Sequence, residues 1–413
     1  MVSKKTLSAA AERSNMARVW SKPIHIVSTV VFLSILFLLT VPARAATETI
    51  LHSFACGTTD GCNPEAGVVF DTQGNLYGTT SNGGANNVGI VFKLTPSGDW
   101  SILHSFACTP TDGCYPEAGV VLDSKGNLYG TTSSGGAEGG GTVFEVSASG
   151  IETTLHNFTC GTDGCYPTGA IVLDSKENLY STTEVGGANG GGTVFGLVPS
   201  TGALTTLYSF SCGTDGCFPL AGVVRDSKGN LYGTTYSGGA SGFGTVFKVT
   251  PSGTETVIHS FTPNGEDGFY PEAGVILDSE DNVDGTTDRG GVVGLGSMFK
   301  VTPSGAETVI HSFKGGADGI SPANAGLARD QKGNLYGATY YGGTVDLGIV
   351  FELTPSGTET VLHSFDRNGT DGYSPYAGVA VDGKGNLYGT TLNGGGSTNC
   401  GLSGCGTVFK IVP

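Results

Sequence analysis

Residues 118–158 read AGVVLDSKGNLYGTTSSGGAEGGGTVFEVSASGIETTLHNF, and the fold follows from how that stretch divides. Ala118 to Asp123 is a run of small and β-branched residues, suited to a strand crowded near an axis. Asn127 to Thr132, Thr142 to Val146 and Glu152 to Phe158 are three more runs of strand length and composition. Between the first two, Ser124-Lys125-Gly126 is a tight turn, with Asp123 placed to accept backbone bonds. In sister stretches the last two runs are joined by Thr-Pro-Ser-Gly (Thr250 to Gly253, Thr302 to Gly305), a β-turn with Pro in the second place. The stretch predicts a four-stranded meander.

The same stretch recurs along the chain. Leu-His-Ser-Phe and its variants place a Phe at Phe54, Phe106, Phe158, Phe210, Phe261, Phe313 and Phe365, at gaps of 52, 52, 52, 51, 52 and 52. Gly-Asn-Leu-Tyr-Gly-Thr-Thr puts Tyr at Tyr77, Tyr129, Tyr180, Tyr232, Tyr336 and Tyr388, with Asp284 in the fifth place. Gly-Thr-Val-Phe ends at Phe92, Phe144, Phe195, Phe247, Phe299, Phe351 and Phe409. Seven units of four short strands predict an all-β, seven-bladed propeller over residues 46–413. The phasing supports a ring. Thr47 to Phe54 is a fourth strand without its first three, and Phe409 to Pro413 ends a third strand without its fourth. Joined, the two pieces make one blade and remove the sheet edges that an open solenoid would leave.

These motifs resemble the bacterial secreted tandem-repeat family named GloVer, typified by G-N-L-Y-G-T-T, G-T-V-F-x-V-T-P-S-G and L-H-S-F. The resemblance spans residues 47–413 and is specific, because three motifs recur in fixed order. Unit five departs at Asp281-Asn282-Val283-Asp284, and unit two has Ser147-Ala148-Ser149 for Thr-Pro-Ser. The resemblance implies an exported, propeller-like protein and brings no defined activity. The D-x-x-G-N-L-Y run is also similar to NHL-type propeller repeats.

Composition agrees with this class. Gly and Pro number 70 and 17 of 413 residues, far above the usual share, as many tight turns require. Gly is not every third residue, which excludes collagen. A net charge of -16 argues against nucleic acid, whose phosphates need a basic surface. Ahead of the repeats, Ile24 to Thr40 is an apolar run preceded by Lys4, Lys5, Arg13, Arg18 and Lys22. Small residues follow at Ala43 and Ala45. Residues 1–45 therefore read as a signal peptide, starting at Met1 or Met16. The rival is an uncleaved anchor, the one route to a membrane, but seventeen residues interrupted by His25, Ser28 and Thr29 are marginal for spanning. The expected location is secreted, periplasmic or cell-surface.

The cysteines fall in close pairs: Cys56/Cys62, Cys108/Cys114, Cys160/Cys165, Cys212/Cys217 and Cys400/Cys405. In the loops after Phe261, Phe313 and Phe365 both members are lost together. Joint loss is what disulfides predict, and an oxidising compartment suits them; two pairs around a structural zinc are the alternative. His52, His104, His156, His259, His311 and His363 are one repeat position, with Tyr208 in the seventh. On separate blades they cannot converge on one ion, so a buried structural role is expected and no metal site. Asp60, Asp112, Asp163, Asp215, Asp267, Asp318 and Asp371 each precede Gly in a turn. Such acidic loops leave Ca²⁺ open, although the D-x-D-x-D spacing of a strong calcium loop is absent. No other cofactor is indicated.

Departures from the repeat are where function is sought. Tyr115, Tyr166, Phe218 and Tyr270 precede the loop Pro, where rings can stack on sugars. Arg225 and Arg329 replace an apolar residue before the inner-strand Asp. In a meander alternate connections share a side, so both long loops lie on one face and both tight turns on the other. The long-loop face is the expected working face. The leading reading is a non-enzymatic binding or surface-interaction module for a polysaccharide or a cell-surface protein. The alternative is a lyase or hydrolase with its site at the mouth of the central channel, which needs a non-repeating cluster of acid and base groups.

Overall fold

The computed structural model of the protein describes residues 46–413 apart from 264–265, 323 and 325. The export signal read over residues 1–45 lies outside the described residues. The first tight turn of each unit shows why Asp, Asn and Tyr recur at fixed spacing. Asp123 Oδ1 accepts the amides of Lys125 and Asn127 at 2.8 Å. Its Oδ2 accepts the Asn127 side chain at 2.8 Å and the Tyr129 hydroxyl at 3.3 Å. Burial alone would raise this carboxyl, but the four donors outweigh it and hold Asp123 below the ordinary carboxylate range.

These turns join seven four-stranded antiparallel sheets. Blades 1 to 6 span residues 69–105, 121–157, 172–209, 224–260, 276–312 and 328–364. Blade 7 takes three strands from residues 380–412, and its fourth is Thr47–Ser53, antiparallel to Thr407–Val412. No α-helix occurs among the described residues. In every blade the third and fourth strands slip register once, as between Val143 and Phe144, and such a bulge adds twist to the outer edge.

The paired part of the inner strand is shorter than its sequence suggests. In blade 2 only Val121–Leu122 pairs, instead of Ala118 to Asp123. The reason is crowding at the axis. A Cβ on Gly119 would stand 3.3 Å from the carbonyl oxygen of Gly67 in the neighbouring blade, so this segment lines the axis and approaches its neighbours through bare backbone.

The apolar core is divided into seven clusters, each lying between adjacent blades. Tyr77, Val91 and Phe106 of blade 1 pack on Val120, Leu128, Phe144 and Val146 of blade 2. Across the seam, Phe54 and Val408 of blade 7 pack on Leu76, Ile90 and Phe92 of blade 1. Within these cores the second-strand residue facing the aromatic is Gly in six units, and Ser181 facing Phe195 in unit three. A Cβ on Gly130 would come 2.5 Å from the Phe144 ring.

Five disulfides were expected, and three are formed: Cys56–Cys62, Cys108–Cys114 and Cys400–Cys405. Cys160, Cys165, Cys212 and Cys217 are free thiols. Their two loops are one residue shorter than the bridged loops after Phe54 and Phe106. Cys160 and Cys212 are exposed while their partners are buried. Burial, then the hydrogen bond to Cys160, pushes Cys165 up to about 12, which keeps it protonated and poorly nucleophilic. Alkylation of unreduced, denatured protein followed by peptide mapping should therefore label these four cysteines and none of the other six. Label on fewer than four would show that a fourth or fifth bridge forms.

Candidate functional site

The two long loops of each unit pair with one another, which fixes them on one face. Gly113–Cys114 pairs with Ser134–Gly135, and equivalent ladders or single bridges occur in the other units. Each Cys/Asp-Gly loop then turns through a Pro into the inner strand, and the residue after that Pro, or in unit six the second residue after it, opens on the axis. The central cavity measures about 650 Å³. At its long-loop mouth stand Glu65, Glu117, Thr168, Leu220, Glu272, Asn324 and Tyr376, one from each unit. Below them the wall is Ala, Gly and Val. Seven nearly identical units thus present five different residue types at the mouth, three of the seven positions being Glu.

A second circle, from the start of the other long loop, supports the first. The Ser81 hydroxyl donates to Glu65 at 2.9 Å, and the Ser133 hydroxyl donates to Glu117 at 3.0 Å. Glu184 of unit three also lines the cavity. The Ser321 hydroxyl donates to Asp288. Burial raises Glu65, Glu117 and Glu184 above the ordinary range. Burial, then the charge of Asp288, pushes Glu272 to about 7. Burial, then the charge of Glu65, pushes Tyr376 to about 12, so this phenol stays a hydrogen-bond donor. The mouth therefore combines several carboxyls, one able to hold its proton near neutrality, with a neutral phenol.

The four aromatics singled out in the sequence lie on this same face. Tyr115 and Tyr166 are the most open, at 36% and 43% exposure. Tyr270 stacks on Tyr236 with ring centroids 4.8 Å apart, and Phe218 is half-buried. All four have φ between 56° and 58°, a left-handed conformation that a bulky residue adopts only under constraint. The constraint is visible: the Tyr115 amide donates to Val88 O at 2.9 Å, and its carbonyl accepts the Ser133 amide at 3.0 Å. Asn63 occupies the same position at φ 57° and is the residue type that tolerates it. Aromatics at four of the seven positions therefore carry a conformational cost of about 1–3 kcal/mol each.

The two arginines do not join this site. The Arg225 guanidinium lies over Gly229 of its own tight turn, at the opposite face. Arg329 forms an ion pair with Asp284, a fully buried residue of blade 5. Both substitute for an apolar residue that packs against the Tyr of the preceding unit, and in unit five that Tyr is Asp284 itself. Their position is explained by packing between blades.

The histidines also have local partners. His52 pairs with Asp60 at 3.1 Å, His104 with Asp112 at 3.3 Å and His156 with Asp163 at 3.2 Å. Tyr208 keeps the pattern, its hydroxyl donating to Asp215 at 3.1 Å. The Asp of each Asp-Gly turn also caps its loop: Asp60 accepts the amides of Ala55 and Gly61 at 2.8 Å.

Sequence reasoning missed the Glu ring. Its position is Glu, Glu, Thr, Leu, Glu and Tyr directly after the Pro in six units, and Asn one residue further on in unit six, and that variation after an invariant Pro was the available signal.

Fold and repeat together define a β-propeller repeat protein. The chain belongs to the family described as the Gloeobacter/Verrucomicrobia repeat, which matches residues 34–226 and 213–409. No curated protein matches the chain. Among solved structures it is similar to the extracellular domain of a proposed hybrid two-component system from B. thetaiotaomicron. That likeness has TM-score 0.52 and 14% identity, over 86% of this chain and 39% of that one. Oligogalacturonate lyase from Vibrio parahaemolyticus gives TM-score 0.51 at 11% identity, over 90% of this chain and 95% of that one. An oligogalacturonate lyase in complex with manganese gives 0.50 at 10%, over 90% and 94%. At such identities the likeness is one of fold.

Proposed function

We propose that the protein is an exported binding module that takes a hydroxyl-rich polysaccharide on its long-loop face, across the mouth of the central channel. The observation that carries this reading is the strained, exposed Tyr115 and Tyr166 beside a mouth that carries Glu65, Glu117, Glu184 and Glu272 among varied neighbours. Rings supply flat apolar platforms for sugar faces, and carboxylates accept sugar hydroxyls in charge-assisted bonds. An acidic mouth on an acidic protein favours neutral or amino sugars over polyuronates, whose charge it repels. The disulfides and the signal-like leader support export.

The test is a binding titration of the purified protein against a neutral glucan, chitosan oligosaccharides and polygalacturonate. Binding should be found with one of the first two. The combined changes Tyr115→Ala and Tyr166→Ala should weaken it at least tenfold and leave the melting temperature nearly unchanged. Binding that survives these changes, or that prefers polygalacturonate, sinks the reading. Glu272 supports a second one. A half-buried carboxyl held at about 7 beside other acids has the character of a general acid, so product formation is measured in the same screen. Turnover abolished by Glu272→Gln would replace the binding module with an enzyme.

A further inference from the structure

Most outer strands carry a Glu four residues before their His or Tyr, and the ring lays that Glu against the blade before. Glu48, on the strand that completes blade 7, reaches His363 and Asp371 of blade 6. One ligand atom from each of the three lies within 4.8 Å of the other two. The Asp371 side chain is only 4% exposed. Its Oδ2 accepts the Asp366 amide at 3.0 Å and faces His363 Nε2 at 3.3 Å. Its Oδ1 is buried without a partner, and so is Glu48 Oε1. Orphaned carboxylate oxygens are costly in a protein interior. A cation between them would satisfy both.

We propose that Glu48, His363 and Asp371 form a binding site for a divalent first-row transition metal of the Zn²⁺ class, which fastens the N-terminal strand to blade 6. One imidazole nitrogen and two carboxylate oxygens are a donor set that such ions take, with water in the remaining position. Ca²⁺ fits less well, because it takes six to eight oxygens. Glu48 and His363 keep 14% and 20% side-chain exposure, so an ion can reach them from solvent.

The repeat supplies copies and controls. His104, Asp112 and Glu152 meet in the same way, as do His311, Asp318 and Glu359. At the junction of blades 4 and 5 His259, Asp267 and Glu307 hold the same three positions but are not drawn together as closely, and at the remaining junctions a donor is missing. Trp100 takes the Glu position opposite His52 and stacks on it at 3.8 Å, and Leu204 takes that position opposite His156. These junctions retain the His–Asp contact without a third ligand, so the contact alone does not require an ion.

The experiment uses full-length protein stripped with a chelator and titrated with ZnCl₂, with MnCl₂ and CaCl₂ in parallel, by calorimetry and thermal melting. About three Zn²⁺ ions should bind per chain, one at each triplet whose ligand atoms lie within 4.8 Å of one another, and raise the melting temperature. Glu48→Gln should remove one ion and leave the apo melting temperature close to wild type, since Gln can still bond to Asp371. His52→Gln, at a junction without the third donor, should remove none. Absence of Zn²⁺ binding, equal losses from the two variants, or a preference for Ca²⁺ would each overturn the assignment.

Discussion

Replacing Phe54 with Ala should cost about 3–5 kcal/mol, as much as the same change at Phe158. Both rings are fully buried. Phe158 lies in the cluster between blades 2 and 3, where both partners come from nearby sequence. Phe54 lies in the seam cluster, whose parts come from the two ends of the chain. Its ring packs edge-on against Phe92 and Trp100, at 5.7 and 5.5 Å. The comparison measures whether the seam is as strong as an ordinary interface. Equal shifts in denaturation midpoint are expected. A much smaller shift for Phe54→Ala would show that the ring is open in solution.

The second large effect belongs to Asp284 and Arg329. Asp284 is fully buried, and besides Arg329 it has Lys300 at 3.6 Å. Lys300 is itself committed to Asp278 at 2.8 Å. Burial raises the Asp284 carboxyl in spite of both cations. Arg329→Leu should therefore destabilise by about 3–5 kcal/mol, because it strands a buried charge. Combining it with Asp284→Tyr restores the pair that packs elsewhere, as Tyr129 does with Leu173. The double variant should return to within about 1 kcal/mol of wild type, and a double-mutant cycle reads the coupling directly. Additive losses would mean that the pair is not a unit.

That pair also shows where sequence reading stopped. Asp284 and Arg329 each stand out as a break in the repeat. That they meet depends on which strand of one blade packs on which strand of the next, and a single unit does not contain that relation. The same holds for Glu48 with His363 and Asp371: the spacing of Glu to His is visible in the chain, but its partner lies in another blade. What one unit does contain was legible. The four strands, the Asp-Asn-Tyr turn, the placement of the long loops and the count of seven all come from local pattern and period. The state of the cysteines was legible only in part, since paired loss gives the pairing and not which pairs are bridged.

Because Thr47–Ser53 lies beside Thr407–Val412, the first strand to emerge in the chain has no sheet to join until the last one exists. Six blades can form from neighbouring sequence, but closure of this ring is a long-range event that needs both termini at once. A chain that stops short of residue 407 leaves the opening strand unpaired and the next interface uncovered, a state open to proteolysis and to edge-to-edge association. The seam thus acts as a check: only a chain that carries residues 407–412 yields a propeller without loose edges.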